Sequence, residues 1–223
     1  STVPSNPALD SAVYLDPLEM AAPNRAGGET LRCGGKGINV SVVLRNLGMD
    51  TRALGFLAGF TGRVIALWLE QMSVQNDFIM LPSGMSRINI KLKTGVETEI
   101  NGQGPDIPPQ ALDALFAKLD RISKGDTLVL AGSIPASLPA DVYERILSRL
   151  SGRGIRCVVD ASGPPLLNVL QYRPLLIKPN EAELSELCGV PLTPGDLTGV
   201  KACAARLQER GARNVLASLG PNG

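Results

Sequence analysis

The 223 residues are 44% hydrophobic and 19% charged, a globular profile that excludes a disordered chain and can bury a sizeable core. The 22 basic and 21 acidic residues nearly cancel, so no long-range field draws the protein to nucleic acid or to an anionic membrane, and any anionic ligand must be recognised locally. Histidine is absent and Cys33, Cys157, Cys188 and Cys203 form no CxxC pair, which excludes histidine-based catalysis and the usual zinc sites within the chain; the cysteines read as small buried hydrophobes.

In chain order, Ser1 reads as the end of a strand. The stretch CGGKGINVSVVLRNLG (33 to 48) opens a helix from near Gly37, with Val40, Val43, Leu44 and Leu47 as its expected buried stripe and Gly48 as its stop. TRALGFLA (51 to 58) predicts one strand, and Val64, Leu67, Trp68 and Met72 mark a second helix. SRINIKLK (86 to 93) alternates strictly: Ile88, Ile90 and Leu92 share one face, and Arg87, Asn89, Lys91 and Lys93 the other. A strand buried on one face does not belong inside a doubly wound sheet. Residues 86 to 100, together with 12 to 33, are therefore expected to form a small β lid whose apolar face either covers a cleft or meets its counterpart in a second subunit. NGQGPDIPPQ (101 to 110) is a connection rather than an interdomain linker.

From residue 108 the chain alternates regularly. Leu112, Leu115, Phe116 and Leu119 stripe a helix, TLVLA (127 to 131) is a strand buried on both faces, Tyr143, Ile146, Leu147 and Leu150 stripe the next helix, and RCVV (156 to 159) is the next strand. LLI (175 to 177), a helix after it, the stripe Val200, Cys203, Ala204 and Leu207, and NVLAS (214 to 218) continue the series. The expectation is one α/β domain over 1 to 223, doubly wound, with a mainly parallel sheet and helices on both faces. No apolar run nears the ~20 residues of a membrane span, and no charged-then-apolar leader opens the sequence. A soluble, cytoplasmic protein without nucleic-acid or membrane partners is expected.

Gly34, Gly35 and Gly37 leave backbone N–H groups bare at the positive end of the first helix, with Lys36 among them, which suits an oxyanion or a cluster of sugar hydroxyls; a plain steric glycine turn reads equally well. It is not a Walker loop, since Thr30 stands five before Gly35 and no Ser or Thr follows Lys36. It is not a dinucleotide fingerprint, since Val40 occupies the third glycine's place, and this disfavours a nicotinamide oxidoreductase. KPNEAEL (178 to 184) puts Asn180 and Glu183 on one face of a first helical turn at a strand's carboxyl end, where they read as magnesium ligands or as a capping box. Asp160 ends a strand as a support near metal or phosphate, or as a helix cap.

The glycine stretch resembles the first signature of the PfkB-type carbohydrate kinases of the ribokinase superfamily, with Ser41 in place of a frequent alanine. Further matches follow in order: NPALD (6 to 10), FTG (60 to 62), SRINIK (86 to 91), TEINGQGP (98 to 105), AGSIP (131 to 135), VDASG (159 to 163), KPNEAEL and SLGPNG (218 to 223). The likeness is greatest to the sugar-phosphate branch, the 1-phosphofructokinases, tagatose-6-phosphate kinases and minor 6-phosphofructokinases, because Arg87 offers a guanidinium fork that a phosphate, not a neutral sugar, requires. The resemblance implies a ribokinase-like fold and phosphorylation of a ketohexose phosphate, first of all fructose 1-phosphate, with ATP as co-substrate and Mg2+ as cofactor. It places Asp10, Gly35, Lys36, Asn39 and Arg87 on the sugar phosphate, Lys178, Ser218 and Gly220 on the nucleotide, and Asn180 and Glu183 on the hydrated metal. It also implies a homodimer through the lid.

In that family the base is an Asp of a GAGD-like motif some tens of residues after SLG, and nothing here matches it. Asp196 lies too early and at a helix start. No catalytic residue is therefore assigned. The expected base lies beyond Gly223, and the chain is expected to be either part of a longer kinase or a catalytically silent sugar-phosphate-binding module.

Overall fold

The computed structural model describes residues 1–193 and 195–220. In chain order the elements are β1 (Thr2–Pro4), β2 (Ala8–Tyr14), β3 (Gly28–Gly34), α1 (Lys36–Asn46), β4 (Arg52–Ala53), β5 (Phe56–Ala58), α2 (Gly59–Gln71), β6 (Gln75–Asn76), β7 (Ile79–Leu81), β8 (Arg87–Lys93) and β9 (Thr98–Asn101). Then come α3 (Pro109–Leu119), β10 (Thr127–Ala131), α4 (Val142–Leu150), β11 (Arg156–Asp160), α5 (Pro164–Val169), β12 (Leu176–Ile177), α6 (Glu181–Cys188) and α7 (Leu197–Glu209).

Six of these strands form a parallel sheet in the order β12-β11-β10-β1-β4-β6. Side chains alternate across such a sheet, so residues in register share a face. Val3, Leu130, Val159 and Ile177 form one row, buried in a core with residues from α3 to α7. Thr2, Val129, Val158 and Leu176 form the opposite row; there α1 packs on β1, and Thr2 and Ser41 share a hydroxyl hydrogen bond at 2.5 Å. Helices thus lie on both faces of a parallel sheet, as expected. Val129, Val158 and Leu176, with Val40 and Leu44 of α1, also line an open cavity of about 740 Å³.

A separate four-stranded sheet, β3-β2-β8-β9, forms the lid; β8 runs parallel to β2, and the outer pairs are antiparallel. It spans 8–34 and 87–101, so it includes the whole of the segment beginning at Ala8. Arg87 and Asn101 line the cleft beneath it. Residues on the opposite face of β8 and its neighbours, Leu31, Ile88 and Ile100, are exposed and turned away from the cleft. The apolar face therefore does not cover the cleft; the polar face does.

Four local expectations are corrected. The stripe Val40, Val43, Leu44 and Leu47 is not the buried face of α1: Gly37, Ile38 and Ser41 are buried, while Val43 is 55% and Leu47 71% exposed. Likewise α2 buries Thr61, Gly62, Ile65 and Leu69, leaving Leu67 and Met72 exposed. The run 51 to 58 is two strands in two sheets, broken at Gly55, whose φ of 145° no side-chain-bearing residue adopts easily. Residues 214 to 218 contribute only two parallel bridges, Ile177 with Val215 and Asn180 with Ser218.

Candidate active site

In an open parallel sheet, ligands lodge outside the carboxyl ends of the strands. Here those ends, the start of α1 and the polar face of the lid enclose a cleft of about 730 Å³. Its polar lining is Asn6, Lys36, Arg87, Asn101, Ser133 and Ser162, together with Gly35 at the head of α1; none of the described lining residues is acidic.

Each glycine of the loop has a steric reason to be glycine. A Cβ on Gly34 would collide with the Asp10 carboxylate, and one on Gly37 would lie 2.5 Å from Pro4 Cα, so α1 could not approach β1. Gly35 has φ 100° and caps α1 without a side-chain hydrogen bond, so the first-turn amides stay bare at the positive end of the helix. The steric reading of the loop holds, and the same geometry leaves uncovered the amides that the anion-binding reading needs.

Arg87 stands on the lid strand with Nε donating to the Asn6 carbonyl at 3.1 Å. That tether orients the fork, and among the described residues Arg87 makes no salt bridge, so its terminal N–H groups remain available. Burial lowers its pKa and the nearby Asp10 charge works against that; the guanidinium stays cationic. Lys36 enters from α1 and pairs with Asp160 at 2.8 Å, and Lys178 reaches the other oxygen of the same carboxylate at 3.3 Å.

Asp10 and Asn39 are not part of the cleft lining. Asp10 sits farther along the lid's polar face and accepts a 2.8 Å hydrogen bond from Asn89 Nδ2; the Asn89 side chain is buried and its Oδ1 has no partner among the described residues. Asn39 is exposed on α1. Cys33 lies beside Asp10, and burial first, then that charge, push its thiol up to about 12, so it is a neutral wall group and not a nucleophile. The Tyr143 hydroxyl is buried, which raises its pKa to about 12 more than its bond with Ser5 lowers it; it donates to the Gly132 carbonyl at 2.9 Å and so fixes the loop that carries Ser133.

The second cluster forms where β12 ends. Asn180 accepts from the Glu183 amide at 2.8 Å while Glu183 Oε2 accepts from the Asn180 amide at 2.9 Å, a complete capping box, and Ser162 Oγ donates to Glu183 Oε1 at 2.5 Å. Ser218 bridges to Asn180 as a parallel neighbour, with its amide on the Pro179 carbonyl at 3.1 Å. Gly220 closes the described chain, and the last three residues of SLGPNG lie outside it. No cluster of three or more Asp, Glu or Cys residues that could cage a cation occurs among the described residues. One carboxylate and one amide fit an ion that keeps most of its waters and takes its other ligands from phosphates, which is magnesium's habit. Sequence reasoning passed over Asn6, Asn101, Ser133 and Ser162 as site residues although all four sit inside matched motifs; they are neutral, and no charge singles them out.

The family model described as "pfkB family carbohydrate kinase" matches residues 3–223. The chain belongs to that family. This pfkB kinase is 40% identical over 222 residues to the 1-phosphofructokinase of Bacillus subtilis (strain 168), with all of the chain and 72% of the relative covered. It is 36% identical over 222 residues to the D-tagatose-1-phosphate kinase of Bacillus licheniformis, again with 100% and 72% covered. Its fold matches phosphofructokinase-2 from Escherichia coli, solved in complex with fructose-6-phosphate, at a TM-score of 0.91 and 29% identity, covering all of this chain and 74% of that one. The doubly wound sheet with its β lid is therefore the ribokinase-like architecture of the phosphofructokinases.

Proposed function

We propose that the protein phosphorylates a ketohexose phosphate at the expense of ATP, fructose 1-phosphate to fructose 1,6-bisphosphate being the first choice. The carrying observation is the charge of the cleft: Arg87 from above and Lys36 from below face a space with no acidic lining residue among those described. A neutral sugar has no use for the unpaired guanidinium of Arg87 or for a second cation, Lys36, held only by Asp160 at the edge of the cleft, whereas a phosphoester satisfies both. The relatives named 1-phosphofructokinase and D-tagatose-1-phosphate kinase support that class.

Phosphoryl transfer asks mostly for positioning and charge neutralisation. Arg87, tethered through Nε, holds the phosphate already on the sugar. Asn6, Asn101 and Ser133 meet hydroxyls, Lys36 turns from Asp160 to the same ester phosphate, and the bare amides of α1 face the end of the sugar that accepts the new phosphoryl group. Lys178, Ser218 and Gly220 take the nucleotide beside β12. Asn180 and Glu183 hold hydrated Mg2+, which when bound neutralises phosphate oxygens of the nucleotide. The outward apolar face of the lid pairs with its copy in a homodimer.

The test is calorimetry of the chain with fructose 1-phosphate, fructose 6-phosphate and fructose. Fructose 1-phosphate should bind and fructose should not. Arg87→Ala should weaken that binding by about 2 kcal/mol, roughly 30-fold, the loss of a charge-assisted pair. Fructose binding as tightly as its ester, or Arg87→Ala without effect, would sink the reading. One observation favours a second reading, a silent binding module: the nearest carboxylate, Asp160, is held in two ion pairs and is no free base. Release of ADP with fructose 1-phosphate separates the two, since a silent module binds the ester and releases none.

A further inference from the structure

Asp160 ends β11 in the wall between two cavities, and its carboxylate is only 10% exposed. Lys36 lines the 730 Å³ cleft on one side. Lys178 and Asp160 itself line the 740 Å³ cavity on the other. One carboxylate oxygen takes Lys36 Nζ at 2.8 Å and the other takes Lys178 Nζ at 3.3 Å. Both lysine side chains remain well exposed, so each can leave for a ligand, while the carboxylate cannot move out to water. No other acidic residue pairs with either lysine among the described residues. The backbone of Asp160 is fixed as well, because its carbonyl accepts from Gly132 N–H at 3.1 Å.

We propose that Asp160 is a positioning residue that acts as the shared counter-ion of Lys36 and Lys178, so that its hold on either lysine depends on what the other is doing. An anion that draws Lys36 into the first cleft leaves the buried carboxylate with Lys178 alone. A buried charge left with one partner holds that partner harder, because its desolvation is no longer shared. Lys178 then yields less readily to an anion of its own, and by linkage the reverse holds to the same extent. The inference rests on the reading of the cleft as a phosphate site, but it concerns the connection between the lysines and not the identity of the sugar.

The connection is measured by a double-mutant cycle with a single ligand in the first cleft. Lys178→Met keeps the apolar stem and removes the charge that competes for Asp160. In the parent chain it should weaken fructose 1-phosphate binding about three- to tenfold, the coupling expected within one ion-pair network. Asp160→Asn, which is isosteric, should tighten binding, and in that background Lys178→Met should change it by less than about twofold. Thermal unfolding of each variant guards against a folding defect, and Lys178→Met, which keeps the apolar stem at a half-buried position, keeps the first arm of the cycle readable. Inorganic phosphate is titrated in parallel. If phosphate shows the cycle and fructose 1-phosphate does not bind, the coupling stands and the sugar assignment falls. A cycle that is additive with both probes, or the absence of binding by either, overturns the proposal.

Discussion

Asn180 and Glu183 form a capping box, and the proposed function asks the same pair to hold hydrated Mg2+. Their reciprocal hydrogen bonds to each other's backbone amides close the N-terminus of α6, and Glu183 is also held by Ser162, which lines the cleft. The capping box therefore fixes the carboxylate at the place where a cation would need it, so structure and ligation are not competing explanations. Asn180→Ala removes the acceptor for the Glu183 amide and should lower stability by about 1 kcal/mol in urea unfolding. Glu183→Gln keeps an acceptor for the Asn180 amide and a partner for Ser162, so stability should fall by less than about 0.5 kcal/mol. It removes the negative charge, however, and Mn2+ titration in the presence of ADP should then need about tenfold more cation. A Glu183→Gln protein that loses stability yet binds Mn2+ unchanged would leave the residue with its cap alone.

At the scale of elements, strands were more legible than helix faces, and α1 shows why. Its sequence offers Val40, Val43, Leu44 and Leu47 at helical spacing, yet the helix buries the face of Gly37, Ile38 and Ser41. Hydrophobic periodicity weighs side chains by size, whereas α1 is drawn onto β1 through small groups: Gly37 against Pro4 and Ser41 against Thr2. Close approach of backbones leaves no apolar bulk to detect. The strands β10 and β11 gave no such ambiguity, because Thr127–Ala131 and Arg156–Asp160 read as continuous apolar runs, although Val129 and Val158, which share one face, are only half-buried. Gly55 divided an apparent single strand because a φ of 145° turns the chain between Ala53 and Phe56 from one sheet into another. The expected outcome for α1 is opposite to its periodicity. Ile38→Ala should cost about 2–4 kcal/mol, the usual loss for a fully buried aliphatic side chain, while Leu47→Lys should stay within about 0.5 kcal/mol. Chemical denaturation of the two variants decides which face carries the packing.

For the molecule as a whole, the placement of the lid decides what its strict alternation is for. The order of motifs identified the fold, and the charged groups Lys36 and Arg87 identified the cleft, but alternation in Arg87–Lys93 left open which face looks inward. Arg87 and Asn101 answer it by lining the cleft, and strand geometry then sends Ile88 and Ile100 to the other side. Leu31 of β3, Ser11 of β2, Ile90 of β8 and Ile100 of β9 form an outward row crossing the lid, with Ile100 54% exposed and Ile88 two residues away on the same face. A sheet of only four strands with an apolar outer face is costly to leave in water, and pairing with a second copy through the same face buries it twice over. Light scattering after size exclusion should give a particle of two chains of 23.5 kDa each. Ile88→Lys with Ile100→Lys should return it to one chain. Because Arg87 and Asn89 point the opposite way, the monomer should still bind fructose 1-phosphate, and any loss should come from a loosened lid. A wild-type protein that stays a single chain at every concentration would leave the apolar row to another role.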